Sequence, residues 1–266
     1  MAYETILVEQ KDGIATITLN RPEVLNAFTL KMGGELMDAL RSVKEDEETK
    51  VLILTGAGRA FCSGADIRGF NEQVERRKKG ERSREPEGTE FDSAMPLTMI
   101  NFPKPIIAAI NGPAVGIGFT ITLPCDIRIA SENAKLGAVF TRVGLVPEFS
   151  SSYLLPKLIG LGKALELVLT ARMIDAHEAK EIGLVNKVVP ANTFMDETLA
   201  MAQMMAKGAS VALKLAKRAL HHGAGATMLQ AMQYEHFAQA HCAETFDHEE
   251  AVRAFLEKRE PRFQGK

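Results

Sequence analysis

Lys104-Pro105-Ile106-Ile107-Ala108-Ala109-Ile110-Asn111-Gly112-Pro113-Ala114-Val115-Gly116-Ile117-Gly118-Phe119-Thr120 joins a short apolar run to a turn that carries three glycines. An uninterrupted apolar stretch of this length, closed by a turn signal, reads as a strand buried on both faces, where no polar alternation is needed. Similar runs rich in β-branched residues recur at 14–19, 51–55, 127–130 and 185–189. Between them lie stretches with helical spacing, among them 29–44 and 162–170, so strands and helices alternate as in an α/β fold. After residue 195 the chain changes character. Ala, Leu, Met, Gln and Glu follow helical periods as far as residue 258, with a glycine break near Gly223 and Gly225. The expected organisation is an α/β core over residues 1–195 and a helical module over 196–266.

Composition excludes several function classes. The 266 residues are 46% hydrophobic and 25% charged, enough for one substantial core, and the net charge of −2 offers no bulk attraction to nucleic acid or to an anionic membrane. No apolar run approaches the roughly 20 residues of a membrane span. The first ten residues lack a basic start and a long apolar block, and the last four spell no known address, so a cytoplasmic location is expected, with an organellar mature form as the alternative. Cys62, Cys125 and Cys242 are far apart and show no metal-ligand spacing, which predicts reduced structural thiols and no metal. Residues 71–90 are crowded with Glu, Arg and Lys; a mobile surface segment is expected, and a lid over a ligand is the functional alternative.

Chemistry concentrates at two glycine-rich turns that follow predicted strands. In Thr55-Gly56-Ala57-Gly58-Arg59-Ala60-Phe61-Cys62-Ser63-Gly64-Ala65-Asp66-Ile67, Phe61 occupies the place of the third glycine of a dinucleotide fingerprint. The second turn lacks the Lys-Ser/Thr ending of a P-loop, so NAD and nucleoside triphosphate readings both fail. Tight turning alone explains such glycines. The sharper reading is that one N–H from each turn converges on a single oxygen, with the apolar segment from Phe119 to Leu123 opening a helix whose positive end adds to the field.

Seven ordered stretches carry a resemblance. They are Leu19-Asn20-Arg21-Pro22 with Leu25-Asn26-Ala27, Phe61-Cys62-Ser63-Gly64-Ala65-Asp66-Ile67, Lys104-Pro105-Ile106-Ile107-Ala108-Ala109-Ile110-Asn111-Gly112, Cys125-Asp126-Ile127-Arg128-Ile129-Ala130, Ala176-His177-Glu178-Ala179, Gly183-Leu184-Val185, and Phe255-Leu256-Glu257-Lys258-Arg259-Glu260-Pro261. On these the chain resembles the crotonase, or enoyl-CoA hydratase/isomerase, superfamily of acyl-CoA enzymes. The resemblance implies a crotonase-like α/β spiral of strand-strand-helix units with a helical C-terminal trimerisation region, assembled as a homotrimer or a dimer of trimers. It also implies that the N–H groups of Ala65 and Ile117 hold the thioester oxygen. Ser63, Gly64, Asp66, Ile67, Arg68 and Gly116 would line the CoA groove, while Phe255 and Lys258 reach the nucleotide end of CoA. CoA is then part of the substrate and no separate cofactor is called for. Ile117 stands where the family usually has its middle glycine, so the turn's shape is the open question.

Hydratases of that family carry two glutamates that activate water and deliver a proton; here those positions are Thr120 and Phe140, and neither is a carboxylate. A different acid lies in Gly144-Leu145-Val146-Pro147-Glu148-Phe149-Ser150-Ser151-Ser152-Tyr153-Leu154-Leu155-Pro156, which is similar to the segment holding the lone acid of family isomerases. The resemblance implies that Glu148 moves a proton from C2 to C4 of a 3-enoyl-CoA without water or metal. The plain alternative is a first-turn helix acid with Ser150, Ser151 and Ser152 as caps. Phe140, Val146 and Phe149 read as walls of a dry acyl pocket, or simply as core. Asp66 is expected to bond turn backbone, and Asp126 with Arg128 to form a structural pair. Single-acid hydration, attack by Glu148 as a nucleophile and a non-enzymatic RNA-binding role stay as alternatives, the last disfavoured by the near-neutral charge.

Overall fold

The computed structural model describes residues 3–66, 75, 78, 79 and 89–266. The expectations for Ile67, Arg68 and most of the charged stretch 71–90 lie outside the described residues. Among the described residues nine strands are placed: β1 (Ile6–Lys11), β2 (Ile14–Leu19), β3 (Val51–Gly56), β4 (Ile106–Ile110), β5 (Ala114–Val115), β6 (Ile127–Ser131), β7 (Lys135–Gly137), β8 (Ile174–Asp175) and β9 (Lys187–Val189). Six form a sheet in the order β1-β2-β3-β4-β6-β9, antiparallel between β1 and β2 and parallel elsewhere. The short strands β5, β7 and β8 form a second sheet. The chain steps from β4 to β5 and again from β6 to β7, passing each time from the large sheet to the small one, which winds the core as a spiral.

Helices fill the winding: α1 (Leu30–Glu45), α2 (Thr89–Ile100), α3 (Ile117–Thr120), α4 (Ser151–Ile159), α5 (Leu161–Thr170), α6 (Ala176–Glu181) and α7 (Phe194–Ala206). The Thr29 hydroxyl accepts from the Met32 N–H and so starts α1, which buries Met32, Leu36, Ala39, Leu40 and Val43 along one face. The apolar strands are explained by cover on both sides. Leu52, Leu54, Ile106, Ala108 and Ile110 enter the main core, while the alternating Val51, Ile53, Ile107 and Ala109 pack with Phe194 and Ala202 of α7. β9 starts two residues later than the apolar run suggests, because the N–H groups of Leu184 and Val185 both turn back to the Ala179 carbonyl.

Three helices follow: α8 (Ser210–Gly223), α9 (Met228–Ala243) and α10 (Phe246–Glu257). A division after residue 195 falls inside α7, which lies on the sheet; the helices from Ser210 onward pack on one another in sequence. α8 is tied to the core by the buried Lys217, whose Nζ lies 2.8 Å from Asp126 Oδ2 and donates to the carbonyls of Met99 and Lys104. This corrects the expected Asp126–Arg128 pair. The buried Arg128 guanidinium instead donates to the carbonyls of Leu184, Thr122, Leu123 and Cys125, where the chain turning out of α3 leaves acceptors that a rigid fork of donors can satisfy.

The C-terminal tail folds back onto α10. Arg259 forks onto the Glu250 carboxylate at 2.6 and 3.0 Å, and together with the Arg262 N–H it holds that carboxyl down to about 2 from its ordinary 4.5. A depressed folded-state value stabilises the fold above the unfolded value, and that contribution fades as pH falls from 4.5 toward 2. Glu250→Gln should therefore lower the thermal midpoint at neutral pH. The gap from the parent chain should narrow as melts are repeated at decreasing pH, and a gap independent of pH would contradict this role.

Candidate active site

The site grows from the end of β3. A Cβ on Gly56 would sit 2.4 Å from the Ala60 carbonyl oxygen, so the chain can reverse this tightly only with glycine there. The carbonyls left open by the turn are taken by two side-chain amides. Asn26, fully buried, donates from Nδ2 to the carbonyls of Ala57 (2.9 Å) and Ala60 (2.8 Å), while Asn111 Nδ2 donates to those of Gly58 (3.0 Å) and Ala60 (3.2 Å). The N–H groups of Phe61 and Cys62 donate to the Pro113 carbonyl, and Val115 N–H donates to that of Cys62. The two glycine turns are thus laced together by backbone.

They also touch. A Cβ on Gly64 would lie 3.2 Å from the Val115 oxygen, one on Gly116 would lie 3.8 Å from the Gly64 Cα, and one on Gly118 would lie 2.3 Å from the Cys62 oxygen. Gly64 and Gly116 have φ of +109° and +55°, which L side chains rarely adopt. The peptide N–H groups that follow these two glycines belong to Ala65 and Ile117. Ala65 sits in a parallel bridge in which Phe28 N–H donates to the Gly64 oxygen and Asp66 N–H donates to the Phe28 oxygen, leaving the Ala65 N–H pointing away from its partner. Ile117 is the first residue of α3, whose N–H has no acceptor within the helix. Among the described residues neither N–H donates to a protein acceptor.

Ile117 costs the turn nothing. The left-handed conformation falls on Gly116, and Ile117 itself has negative φ, so the branched side chain is placed without backbone strain. The helix expected over the Phe119 to Leu123 segment is shorter and earlier: α3 has four residues and runs into a series of turns. So short a helix contributes little dipole.

Glu148 lies in irregular chain three residues before α4. It is not a first-turn helix acid, and the Ser150 side chain caps nothing. The Ser151 N–H and hydroxyl both donate to the Glu148 carbonyl, at 3.0 and 2.5 Å. Phe149 and Ser150 both take left-handed φ, +56° and +57°, at a cost of about 1–2 kcal/mol each for residues with a Cβ. Strain of this kind persists where surroundings over-determine it, and here the Phe149 ring is locked in the core at 2% exposure. The Glu148 side chain turns inward. Thr120 Oγ1 donates to Oε1 at 2.6 Å, and Oε2 is also out of solvent contact. Thr120, the last residue of α3, is fully buried.

The other expected site residues divide. Phe140 is buried, whereas Val146 is 77% exposed and walls no pocket, because the chain from Gly144 to Val146 runs over the surface. Among the described residues, Ser63 Oγ reaches only the Val24 carbonyl, at 3.4 Å. Asp66 meets more than turn backbone: its carboxylate pairs with Arg21 at 3.1 Å, and Arg21 also donates to the Ala27 carbonyl. Phe255 and Lys258 lie exposed at the end of α10, which packs against α9. Thr120 as the partner of Glu148, and Asn26 and Asn111 as the staples of the first turn, are roles that sequence reading missed. Short side-chain amides beside a glycine turn were the available signal.

Comparison with known proteins decides the family. Residues 9–266 match the family model described as enoyl-CoA hydratase/isomerase. The chain belongs to that family. It is 35% identical to the 1,2-epoxyphenylacetyl-CoA isomerase of Escherichia coli, covering 99% of each chain, and 37% identical to the short-chain-enoyl-CoA hydratase of Clostridium acetobutylicum, covering 97% of each. The crystal structure of an enoyl-CoA hydratase from Bacillus anthracis superimposes with a TM-score of 0.88 at 37% identity, covering 99% of this chain and all of that one. The core is accordingly the crotonase fold, and the chain is an acyl-CoA enzyme of the hydratase/isomerase type.

Burial pushes the thiols of Cys62, beside the turn contact, and Cys125 up to about 12, whereas Cys242 is partly exposed. Thiolates are the reactive form, so alkylation of the native chain at neutral pH, followed by mass spectrometry, should mark Cys242 alone. Comparable labelling of Cys62 in the folded chain would contradict the packing described.

Proposed function

We propose that the chain isomerises 3-enoyl-CoA esters to 2-enoyl-CoA esters through a thioester dienolate, with Glu148 as the single proton shuttle. The observation that carries this reading is the seating of one carboxylate, Glu148, on Thr120, one turn of helix from the Ile117 N–H. The thioester oxygen would accept from the N–H groups of Ala65 and Ile117. Removal of the C2 proton moves charge onto that oxygen, and a preorganised donor aimed there is worth about 2.7–4 kcal/mol. Glu148 takes the C2 proton, the double bond shifts into conjugation, and the same carboxyl returns the proton at C4. No water is consumed.

The CoA portion would run along Ser63, Gly64, Asp66, Ile67, Arg68 and Gly116, with Phe140 against the acyl chain. Phe255 and Lys258 would meet the nucleotide end of CoA across a subunit boundary. Leu220, Met228, Leu229, Phe237, Phe255 and Leu256 of the C-terminal helices are exposed, which supports burial in a homotrimer or a dimer of trimers. Hydration is the second reading, favoured by the names of several relatives, among them the Clostridium enzyme. Against it stand Thr120 and Phe140, where two-carboxylate hydration machinery would need acids.

Purified protein mixed with medium-chain 3-enoyl-CoA and, separately, 2-enoyl-CoA should conjugate the first without forming 3-hydroxyacyl-CoA from the second. Glu148→Gln should reduce that conjugation at least about a hundredfold, the usual scale of a lost acid–base group. Hydration at a comparable rate, or full turnover in the variant, would overturn the assignment.

Ile117→Pro removes the N–H at a helix position where proline fits, while Ile117→Gly keeps the donor. The proline variant should lose roughly 10²–10³ in kcat and the glycine variant less than about tenfold. Equal losses would show that the side chain, not the backbone donor, matters.

A further inference from the structure

We infer that Thr120 is a positioning residue of the proton shuttle: its hydroxyl fixes the orientation of Glu148 and serves both protonation states of that carboxyl. This inference rests on the reading of Glu148 as the shuttle. The hydroxyl lies 2.6 Å from Glu148 Oε1 and 3.3 Å from the Ile117 carbonyl oxygen, with no solvent access to its residue. A threonine hydroxyl has one proton to give and lone pairs to accept with. When Glu148 is ionised, the short contact takes that proton and pins Oε1. When Glu148 carries the proton abstracted from C2, Oε1–H can donate to Oγ1 while the threonine proton turns to the Ile117 carbonyl, so each state is satisfied without displacing the side chain. The proton count is unchanged in either arrangement.

The covalent context gives this contact its consequence. Ile117 and Thr120 are the first and last residues of the four-residue α3, with Thr120 N–H bonded to the Gly116 oxygen. One rigid turn therefore carries both an oxyanion donor and the anchor of the base. The distance from the carboxylate to the bound thioester is set by α3 rather than by the free rotation of a glutamate side chain. Valine has nearly the shape of threonine but cannot donate. A carboxylate that loses this donor loses a contact that fixes its direction, which slows proton transfer while leaving CoA contacts intact.

The test uses full-length Thr120→Val and Thr120→Ser, with turnover of a 3-enoyl-CoA read as kcat and KM and solvent deuterium at C4 measured per turnover in D2O. The valine variant should lose roughly ten- to a hundredfold in kcat, the scale of a hydrogen bond to a charged group, with KM within about threefold. It should also take up more solvent deuterium, because a loosened carboxyl exchanges its proton before returning it. The serine variant should recover to within about threefold of the parent kcat. Wild-type kcat and deuterium content in Thr120→Val would overturn the role, as would a tenfold loss in a folded Thr120→Ser, which keeps the hydroxyl. If Glu148→Gln is inactive while Thr120→Val is unimpaired, the shuttle reading stands and this inference fails; full activity in Glu148→Gln removes the reading itself.

Discussion

The backbone at Gly64 lies against the backbone at Gly116 with no side chain between them, and the site depends on that contact. A Cβ at Gly64 would crowd the Val115 carbonyl oxygen, and a side chain at either position would have to adopt a positive φ. Everything around it serves to hold the approach. Asn26 and Asn111 fill the carbonyls of the first turn, the Phe28–Ala65 and Cys62–Ala114 bridges set the register of the two turns, and Arg21 closes on Asp66 just past the first donor. Among the described residues the N–H groups of Ala65 and Ile117 are left without a protein acceptor, while their neighbours' hydrogen bonds are committed to the fold.

A second constraint places the acid. Consecutive left-handed residues at Phe149 and Ser150 are unfavourable in isolation, and the core seat of Phe149 with the two Ser151 donors on the Glu148 carbonyl offsets that cost. The strained bend is what turns Glu148 inward from a surface stretch, toward a threonine on the same helical turn that bears Ile117. Glu148 and Ile117 are therefore held by one scaffold, although they lie about thirty residues apart in sequence.

Much of the fold was legible because its strands are covered on both faces. The β-branched runs at Ile14–Leu19 and Ile106–Ile110 end where the strands end, their length and β-branching suiting strands within a sheet. The small sheet was not legible: β5 and β8 have two residues each, too few for any period to register, and they are held by register with neighbours far along the chain. The donors and the acid were named from residue pattern and resemblance. The grip of Thr120 on Glu148 was not, because it arises from a bend at Phe149 and Ser150 that bulky and polar side chains do not announce. Arg128 shows the same limit, since adjacency to Asp126 suggested a pair and the fold spent the guanidinium on carbonyls instead.

The most direct measurement is a crystal structure with a saturated medium-chain acyl-CoA, which occupies the site without reacting. The account predicts the thioester oxygen within about 2.7–3.1 Å of both the Ala65 and Ile117 nitrogens, the range of an effective oxyanion contact, with the Glu148 carboxylate beside C2. A thioester oxygen bonded elsewhere, or Glu148 turned away from C2 while Thr120 still holds it, would contradict the account.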